Sequence, residues 1–284
     1  MIPVPYQPFP GPTPFALSQL TGTQTLVHQV DFERYKQFRQ VNDPQFFFQK
    51  LADHFRNEGR LVIHLWDDVA QQKPDVVASR LRALAGESMR IPARLTMARR
   101  IDRPTTMAFL EQNHLQVAIP AKYKYGLWLP KRYFRVLPPD FLVAQLANAD
   151  ELLVAVATFS HPRTIPREGQ PFRSYELVRF ANRLNCTVVG GLDKLLKAFV
   201  TEHHPDDIMT YADRDWSDGR SYERLGFERV GETEPLLFWV KPGEWVRHYP
   251  NQMKHVGIGT PTAQTTEMIP VWNAGNIKFV KRFV

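Results

Sequence analysis

A pair of adjacent glycines and a tyrosine some thirty residues later are the residues whose types and spacing could do chemistry together. Gly190 and Gly191 stand between an extended run, Tyr175–Asn182, and a segment with helical apolar spacing. A glycine-rich turn from strand to helix exposes backbone N–H groups at the positive end of the helix, and these attract phosphate. Tyr222 could supply a proton to a leaving group. The sequence therefore predicts group transfer from a donor that carries phosphate.

Two further side chains could handle charge or protons beside such a donor. Asp213 follows a predicted strand, Ile208–Ala212, and could take the proton from an attacking amine; it could equally cap the turn that follows. Arg179 lies in the run Tyr175–Asn182, and its guanidinium suits phosphate, with a buried Arg–carboxylate pair as the alternative. Because side chains alternate along a strand, Glu176 and Arg179 are expected on opposite faces. At most one of them should then face a cleft directly.

The histidines and the cysteine give little reason to expect a metal. His114 lies just outside a predicted helix and could act as an acid or base near neutral pH. His203 and His204 precede two aspartates, but adjacent side chains point in divergent directions, which disfavours a shared metal ion. Cys186 is the single cysteine, so an internal disulfide and a Cys-based zinc cluster are both excluded. The sequence predicts no metal centre.

Positive charge is concentrated in one stretch of the chain. The formal net charge is +7, and the segment from Lys73 to Arg135 holds 13 Lys and Arg residues but four acidic ones. Aromatic residues are interleaved there, which is typical of surfaces that hold a polyanion and stack on bases. The candidate nucleic-acid ligands are Arg94, Arg99, Arg100, Lys122, Lys124, Lys131 and Arg132. The alternative is a solvated helix face beside a core strand.

The elements that must position these residues alternate between strands and helices. Apolar runs predict buried strands at 61–66 and 152–159, and helical spacing is found at 192–200. This alternation predicts an α/β or α+β fold with a central mixed sheet flanked by helices. We expect a proline-rich arm (1–24), an N-terminal α/β segment (25–104), a domain carrying the chemistry (105–243) and a basic C-terminal extension (244–284). No apolar stretch is long enough for a membrane span, and the start lacks a signal-peptide core, so a cytoplasmic protein is expected.

Several motifs together resemble one superfamily. They are Tyr175-Glu176-Leu177-Val178-Arg179-Phe180, Val188-Val189-Gly190-Gly191-Leu192, Tyr211-Ala212-Asp213 and Tyr222-Glu223-Arg224-Leu225-Gly226-Phe227. In this order they resemble the GNAT N-acetyltransferases, and more narrowly the Mom-type phage DNA-modification proteins and their prophage relatives. The resemblance covers about residues 105–284 and implies a GNAT-like mixed sheet.

The resemblance also implies roles for individual residues. The turn amides of Val188, Val189, Gly190 and Gly191 would hold the pyrophosphate of acetyl-CoA or a related acyl donor, and Lys194 would add charge. Tyr222 would protonate the departing thiolate. The segment Cys186–Gly191 departs from the superfamily pattern because it lacks the usual Gln or Arg ahead of the glycines. A tight strand–helix connection is the structural alternative for the double glycine.

A second resemblance concerns the N-terminal half. The segment Gly59–Ala85 looks like the end of a very-short-patch-repair nuclease domain. Such chemistry needs clustered carboxylates around Mg²⁺, whereas Asp31, Glu33 and Lys36 are poorly spaced for it. The segment is therefore expected to be a degenerate remnant without a nuclease site.

Three functions are compatible with these patterns. The first is acyl or related group transfer to an amine on a nucleic acid base, for which the base must leave the duplex or belong to a single strand. The second is a non-catalytic nucleic-acid-binding accessory protein of phage or mobile-element origin. The third is N-acetylation of a small-molecule amine. The sequence leaves the acceptor and the oligomeric state open.

Overall fold

The computed structural model describes residues 6–138, 149–167, 169–241, 243–249 and 268–283. The chain forms two compact units. The first comprises Met1–Val77, Tyr211–Glu223 and Arg229–Lys278, and the second comprises Ala78–Thr210, Arg224–Glu228 and Phe279–Val284. Each unit thus combines distant segments, in contrast to the four consecutive segments expected. Part of the expected basic extension, 250–267, lies outside the described residues.

The first unit begins with a four-stranded sheet. Its elements are β1 (Tyr6–Pro8), β2 (Ala16–Leu20), β3 (Thr25–Val30), α1 (Phe32–Val41), α2 (Phe47–Asn57), β4 (Leu61–Trp66) and α3 (Asp67–Gln72). The sheet order is β1-β2-β3-β4, in which only β3 and β4 pair in parallel. The start expected as an arm is therefore partly a sheet edge. The reason is that Phe15, Leu17 and Leu20 bury their side chains despite the surrounding prolines.

An aromatic core fills the first unit. Phe48 and Trp66 lie with their ring centroids 4.6 Å apart, and Tyr35 packs edge-on against Trp66. The same core takes in Phe238 and Val271 from a small sheet. That sheet has the order β15-β14-β16, with β14 at Leu237–Val240, β15 at Arg247–His248 and β16 at Ile269–Trp272. Each buried side chain of this size contributes roughly 1.5–3 kcal/mol relative to its exposed state.

The second unit contains most of a larger sheet. Its elements are the end of α4 (Pro74–Leu84), β5 (Met89–Pro92), a 3-10 turn (Ala93–Leu95), β6 (Met97–Arg100), α5 (Arg103–Asn113), β7 (Tyr123–Pro130), a second 3-10 turn (Lys131–Val136), β8 (Glu151–Phe159), β9 (Arg163–Arg167), β10 (Gln170–Asn182), β11 (Cys186–Val189) and α6 (Gly191–His203). Four later elements lie wholly or partly in the first unit. They are β12 (Asp207–Asp213), α7 (Arg220–Glu223), β13 (Glu228–Glu232) and β17 (Asn276–Arg282).

The large sheet changes from antiparallel to parallel pairing at β10. Its order is β13-β17-β12-β10-β8-β7-β6, with β9 paired to β10. The neighbours β6, β7, β8 and β10 are antiparallel, whereas β10 and β12 are parallel and are joined through β11 and α6. The strands β5 and β11 form a separate parallel pair. These sheets and helices confirm the predicted mixed α/β class.

Helices cover both faces of the sheet in the second unit. Phe199 of α6 stacks on Phe159 at 3.9 Å between centroids. Phe109 and Leu110 of α5 pack with Val156. Because Phe159 and Val156 are three residues apart on one strand, they lie on opposite faces. In the described part of the chain no helix is long and apolar enough to span a membrane. No group of three or more His, Cys, Asp or Glu side chains in that part is placed to hold a metal ion.

Candidate functional site: the double-glycine corner and the β10 bulge

The double glycine forms the corner between β11 and α6. Gly190 is the N-cap residue of α6 and is left-handed, with φ of 77°, a conformation that favours glycine. A Cβ on Gly191 would come within 2.9 Å of the Val188 Cβ, so close packing requires the second glycine. Among the described residues, no side chain caps the first turn of α6, and its amides are left for another acceptor. Gly191 therefore forms the tight strand–helix connection that was the structural alternative, and the binding of phosphate by the corner amides stays a prediction.

A second turn lies beside this corner and carries an arginine. The parallel strands β5 and β11 end together, with Pro92 opposite Val189. The Ala93 Cβ lies 3.6 Å from the position that a Cβ on Gly190 would take. The next residue, Arg94, is exposed, and its side chain makes no ion pair or hydrogen bond with another described residue. The turn next to the corner therefore carries an exposed arginine, whereas the 186–191 segment itself has none.

Lys194, expected to add positive charge at the corner, has backbone partners in the structure. Its Nζ donates to the backbone oxygens of Ala93, at 3.0 Å, and Thr96, at 2.5 Å. The Thr96 hydroxyl also donates to the Ala93 oxygen. The ammonium thus ties the Ala93–Leu95 turn to the first turn of α6, because two carbonyl oxygens attract it. Its effect on a ligand at the corner would be to fix the turn that bears Arg94.

A bulge in β10 changes which side chains share a face. Leu177 pairs with Phe159 and Arg179 with Thr158, so that Val178 is an extra residue. Glu176 lies opposite Ser160, whose N–H donates to the Glu176 oxygen at 2.9 Å. Ser160 and Thr158 are two residues apart and share a face, and therefore Glu176 and Arg179 do too. The expectation of opposite faces is wrong, because the bulge interrupts the two-residue period.

The face that Glu176 and Arg179 share is polar and partly buried. Burial raises the pKa of Glu176, and the nearby Arg179 guanidinium opposes this rise. Thr158, across from Arg179, is fully buried, and its hydroxyl has no hydrogen-bond partner among the described residues. An unsatisfied buried hydroxyl costs about 1–3 kcal/mol. Such a group beside a half-buried carboxyl is typical of a site that receives a polar ligand.

The remaining predicted catalytic residues make local contacts. Asp213, in the first unit, accepts the Asp215 N–H at 3.0 Å, as the turn-cap interpretation requires. Tyr222 is half-buried in the short helix α7 of the same unit. His114 ends α5, and its Nδ1 accepts the Gln116 N–H at 3.1 Å. Arg179 and the corner belong to the second unit. The structure therefore unites Val188–Gly191 with Arg94, and Arg179 with Glu176.

The predicted nucleic-acid ligands divide into two groups. Arg99 pairs with Glu151 at 2.7 Å, Arg100 pairs with Glu202, and the Lys124 ammonium contacts the Ala121 and Lys122 oxygens. Arg94, Lys122, Lys131 and Arg132 are exposed and make no ion pair with a described residue. The composition thus overstated the free charge of this segment, since three of the seven cations have local partners.

A polar cluster at the end of α6 was missed by the sequence analysis. The Tyr125 hydroxyl contacts Glu202 and, at 3.0 Å, His203 Nε2. Arg100 completes the cluster, and burial lowers the pKa of His203. His204 instead takes a left-handed conformation at the end of the helix. His203 thus belongs to the polar cluster, whereas His204 is the residue at which α6 ends.

A buried ionic centre in the first unit was also missed. Asp215 is buried and accepts the Ala274 N–H at 2.8 Å. Burial, helped by the charge of Asp213, raises the pKa of Asp215 to about 8. Asp68 pairs with Arg247, whose guanidinium lies 4.2 Å from the centre of the Phe238 ring. The only sequence signal was a run of charges, 213–215, directly after a buried strand.

A chain of hydrogen bonds crosses the core of the same unit. His64 Nε2 donates to the Phe48 oxygen at 3.0 Å, so its Nδ1 must accept from His28 Nδ1, also at 3.0 Å. His28 Nε2 is then left to accept from the Thr13 hydroxyl at 2.7 Å. Burial lowers the pKa of His64 to about 3 and that of His28 well below its usual value. Both imidazoles are neutral, and the chain ties the N-terminal segment to the core.

The two carboxylates considered for a nuclease site, Asp31 and Glu33, have ordinary helical roles. Asp31 caps α1 by accepting the Arg34 N–H at 2.8 Å. Glu33 and Lys36 form an exposed ion pair at 2.7 Å on the same helix. A nuclease ancestry of this half stays a prediction.

Comparison with known proteins gives structural similarities only. No protein-family model and no curated protein sequence matches the chain. One similar structure is the NatC complex bound to Gag peptide and CoA, with a TM-score of 0.36, 11% identity, and coverage of 66% of this chain and 99% of that one. Another is the histone acetyltransferase HPA2 and related acetyltransferase from Corynebacterium glutamicum, with a TM-score of 0.35, 12% identity, and coverage of 66% and 96%.

Proposed function

We propose that the second unit is a GNAT-type acyltransferase that passes an acyl group from a CoA donor to an amine. The observation that carries this proposal is the uncapped start of α6 behind left-handed Gly190, with the exposed Arg94 beside it. Ligands of α/β proteins bind outside the carboxyl ends of parallel strands, which is where β5 and β11 lead into these turns.

The corner has the chemistry that a diphosphate needs. The amides of Gly191 and Leu192 and the partial positive charge of α6 would bind one phosphate. The Arg94 guanidinium would bind phosphate oxygens in a bidentate manner. The acidic side chain of the first turn, Asp193, is paired with Lys197 at 2.7 Å, which reduces its repulsion of an anion.

The amine side of the reaction is assigned to the bulge in β10. Acyl-CoA bound there would supply a thioester carbon that is open to attack by an amine. As the nitrogen–carbon bond forms and the carbon–sulfur bond breaks, Glu176 takes the proton that the amine loses. Its raised pKa makes it a better base than an exposed carboxylate. Arg179 keeps it ionised, and the Thr158 hydroxyl is available to bind the acceptor.

Direct transfer to the amine is favoured over a covalent acyl-enzyme. Cys186 is the only cysteine in the chain, and burial raises the pKa of its thiol to about 12. A thiol that stays protonated is a poor nucleophile. The resemblance assigns protonation of the leaving thiolate to Tyr222, and that role stays a prediction.

For the acceptor, we favour an amine on a nucleic acid base. The exposed cations Lys122, Lys131 and Arg132 support this choice, since they leave positive charge for phosphate. The Arg132 guanidinium lies 5.0 Å from the centre of the Tyr133 ring, a combination suited to phosphate and base. A small-molecule amine would give these residues no role.

Calorimetric titration of the full chain with CoA tests the donor site. Pantetheine, which lacks the diphosphate, is the matched ligand. We expect CoA to bind at least tenfold more tightly than pantetheine, because the corner contacts the diphosphate. Failure of CoA to bind, or equal affinities, would show that the corner is only a packed connection.

Incubation with acetyl-CoA followed by mass spectrometry of nucleosides tests the acceptor. We expect a base carrying one added acetyl group with the wild-type protein and none with Glu176→Gln. Acetylation of added small amines with unchanged nucleosides would replace the nucleic acid acceptor by a small molecule. Binding of CoA without any acetylated product would contradict the proposed transfer and favour a non-catalytic accessory protein.

A further inference from the structure

We propose that β9 and the start of β10 form a basic ribbon that enters the major groove of duplex DNA. The ribbon is defined as Arg163–Arg167 and Gln170–Ser174. Every residue of β9 is exposed, and β9 pairs with β10 alone. Residues 170–173 pair only with β9, because the pairing of β10 with β12 starts at Ser174 and that with β8 at Leu177. The ribbon therefore continues past the paired part of the sheet.

The register sorts the ribbon residues onto two faces. Arg163, Ile165 and Arg167 share one face. Their partners on β10 are Ser174, Phe172 and Gln170. The Arg167 guanidinium lies 3.8 Å from the centre of the Phe172 ring, and Ile165 is 42% exposed. One face thus presents two cations, an amide and apolar groups together.

The cations of this face have no carboxylate partner among the described residues, whereas the cation at the base of the ribbon has one. Arg163 and Arg167 make no ion pair with a described residue. Arg173, on the other face, donates to the His204 oxygen and pairs with Asp206. Arg173 therefore anchors the ribbon. Glu168 is the single acidic residue between Arg163 and Arg173 in the sequence, so the ribbon suits a polyanion.

The free edge of β9 is unsuited to a protein strand. Pro166 has no N–H to donate, and it lies opposite Pro171 across the ribbon. Prolines and basic side chains on an edge oppose the addition of another strand. A partner must therefore be recognised through side chains, which points away from strand addition and toward nucleic acid.

The size and side chains of the ribbon fit B-form DNA. Two strands lie about 4.8 Å apart, and five residues extend about 17 Å. The major groove of B-DNA, about 12 Å wide, admits a two-stranded ribbon, whereas that of A-form RNA is too narrow. Arginine pairs with guanine and glutamine with adenine at the base edges, and apolar side chains contact the thymine methyl group. This binding would hold whether or not the second unit transfers acyl groups.

Fluorescence anisotropy with a labelled 25-bp DNA duplex and the full chain tests the proposal. The test variant is Arg163→Ala with Arg167→Ala, and the matched control is Arg90→Ala with Arg103→Ala, which removes the same charge from two exposed positions elsewhere on the second unit. We expect the ribbon variant to lose at least tenfold in affinity at 100 mM salt and the control less than threefold. The slope of log affinity against log salt should fall by about 1.8 in the ribbon variant.

Thermal midpoints of both variants should equal that of the wild type, because the substituted side chains are exposed. Equal losses in the two variants, or no loss in the ribbon variant, would overturn the proposal. So would binding of an RNA duplex as tight as that of DNA. Poly-glutamate is a competitor that imitates an acidic protein surface. If it displaces the labelled duplex as well as unlabelled DNA does, and if its binding also depends on Arg163 and Arg167, an acidic protein would replace DNA as the proposed partner.

Discussion

The two units treat their charged groups in opposite ways. In the first unit, Asp68 and Arg247 pair in the interior, and Asp215 is enclosed with a backbone N–H as its donor. In the second unit, Arg94 is exposed beside uncapped helix amides, and the buried Thr158 hydroxyl has no partner in the described chain. Charges that satisfy one another stabilise a fold, whereas polar groups left over can serve a ligand. We therefore expect the paired charges of the first unit to act in stability and the leftover polar groups of the second unit to act in ligand binding.

Breaking the Asp68–Arg247 pair should have the largest effect. Asp68→Ala leaves the half-buried Arg247 guanidinium without its carboxylate. Removal of one partner of a buried pair costs about 3–5 kcal/mol, and the partial exposure of Arg247 places this variant near the lower end of that range. We expect this loss in the free energy of unfolding measured with urea. Lys36→Ala, which breaks an exposed pair with Glu33, should cost less than about 1 kcal/mol. Equal losses in the two variants would mean that the Asp68–Arg247 pair stabilises the fold no more than an exposed ion pair does.

The pH dependence of stability should identify Asp215. Its pKa is raised to about 8 in the folded protein from 3.8, chiefly by burial. The folded state then retains a proton that the unfolded state loses, so this contribution to stability is complete below pH 4 and declines as the pH rises to about 8. Asp215→Asn cannot ionise and should remove a decline of about 1.4 kcal/mol per pH unit across this window. A wild-type decline that persists in the variant would place the responsible group elsewhere.

The sequence predicted elements better than it predicted contacts. The run Leu61–Trp66 is a strand with the expected bounds, and the helical spacing at 192–200 lies within α6, because apolar periodicity is a local property. The bulge at Val178 adds one residue to β10 and is visible only in the register with β8. Lys194 contacts Ala93, about a hundred residues earlier, so local patterns gave no sign of its partner. Contacts of this kind depend on the whole fold.

Glu176→Gln tests whether the half-buried carboxyl of the second unit is the base of the proposed reaction. The amide keeps the shape of the side chain but cannot accept a proton, so we expect kcat for acetyl transfer to fall by about 100-fold. Because burial raises the pKa of Glu176, wild-type activity should rise with pH through a value above that of an ordinary glutamate. The variant should lack this rise, and its free energy of unfolding should match that of the wild type. A variant that keeps the rise would exclude Glu176 as the base.

Arg94→Ala should have the smallest of these effects, about a tenfold loss of CoA affinity. An exposed guanidinium that contacts phosphate contributes roughly 1.4 kcal/mol, less than the helix start and its amides together. Titration of Arg135→Ala, which removes an exposed arginine from another turn, supplies the control for net charge. Lys194→Met should weaken CoA binding to a similar degree, because it releases the turn that positions Arg94. Normal affinity in Arg94→Ala together with a loss in Lys194→Met would assign the phosphate contact to Lys194, as the sequence alone suggested.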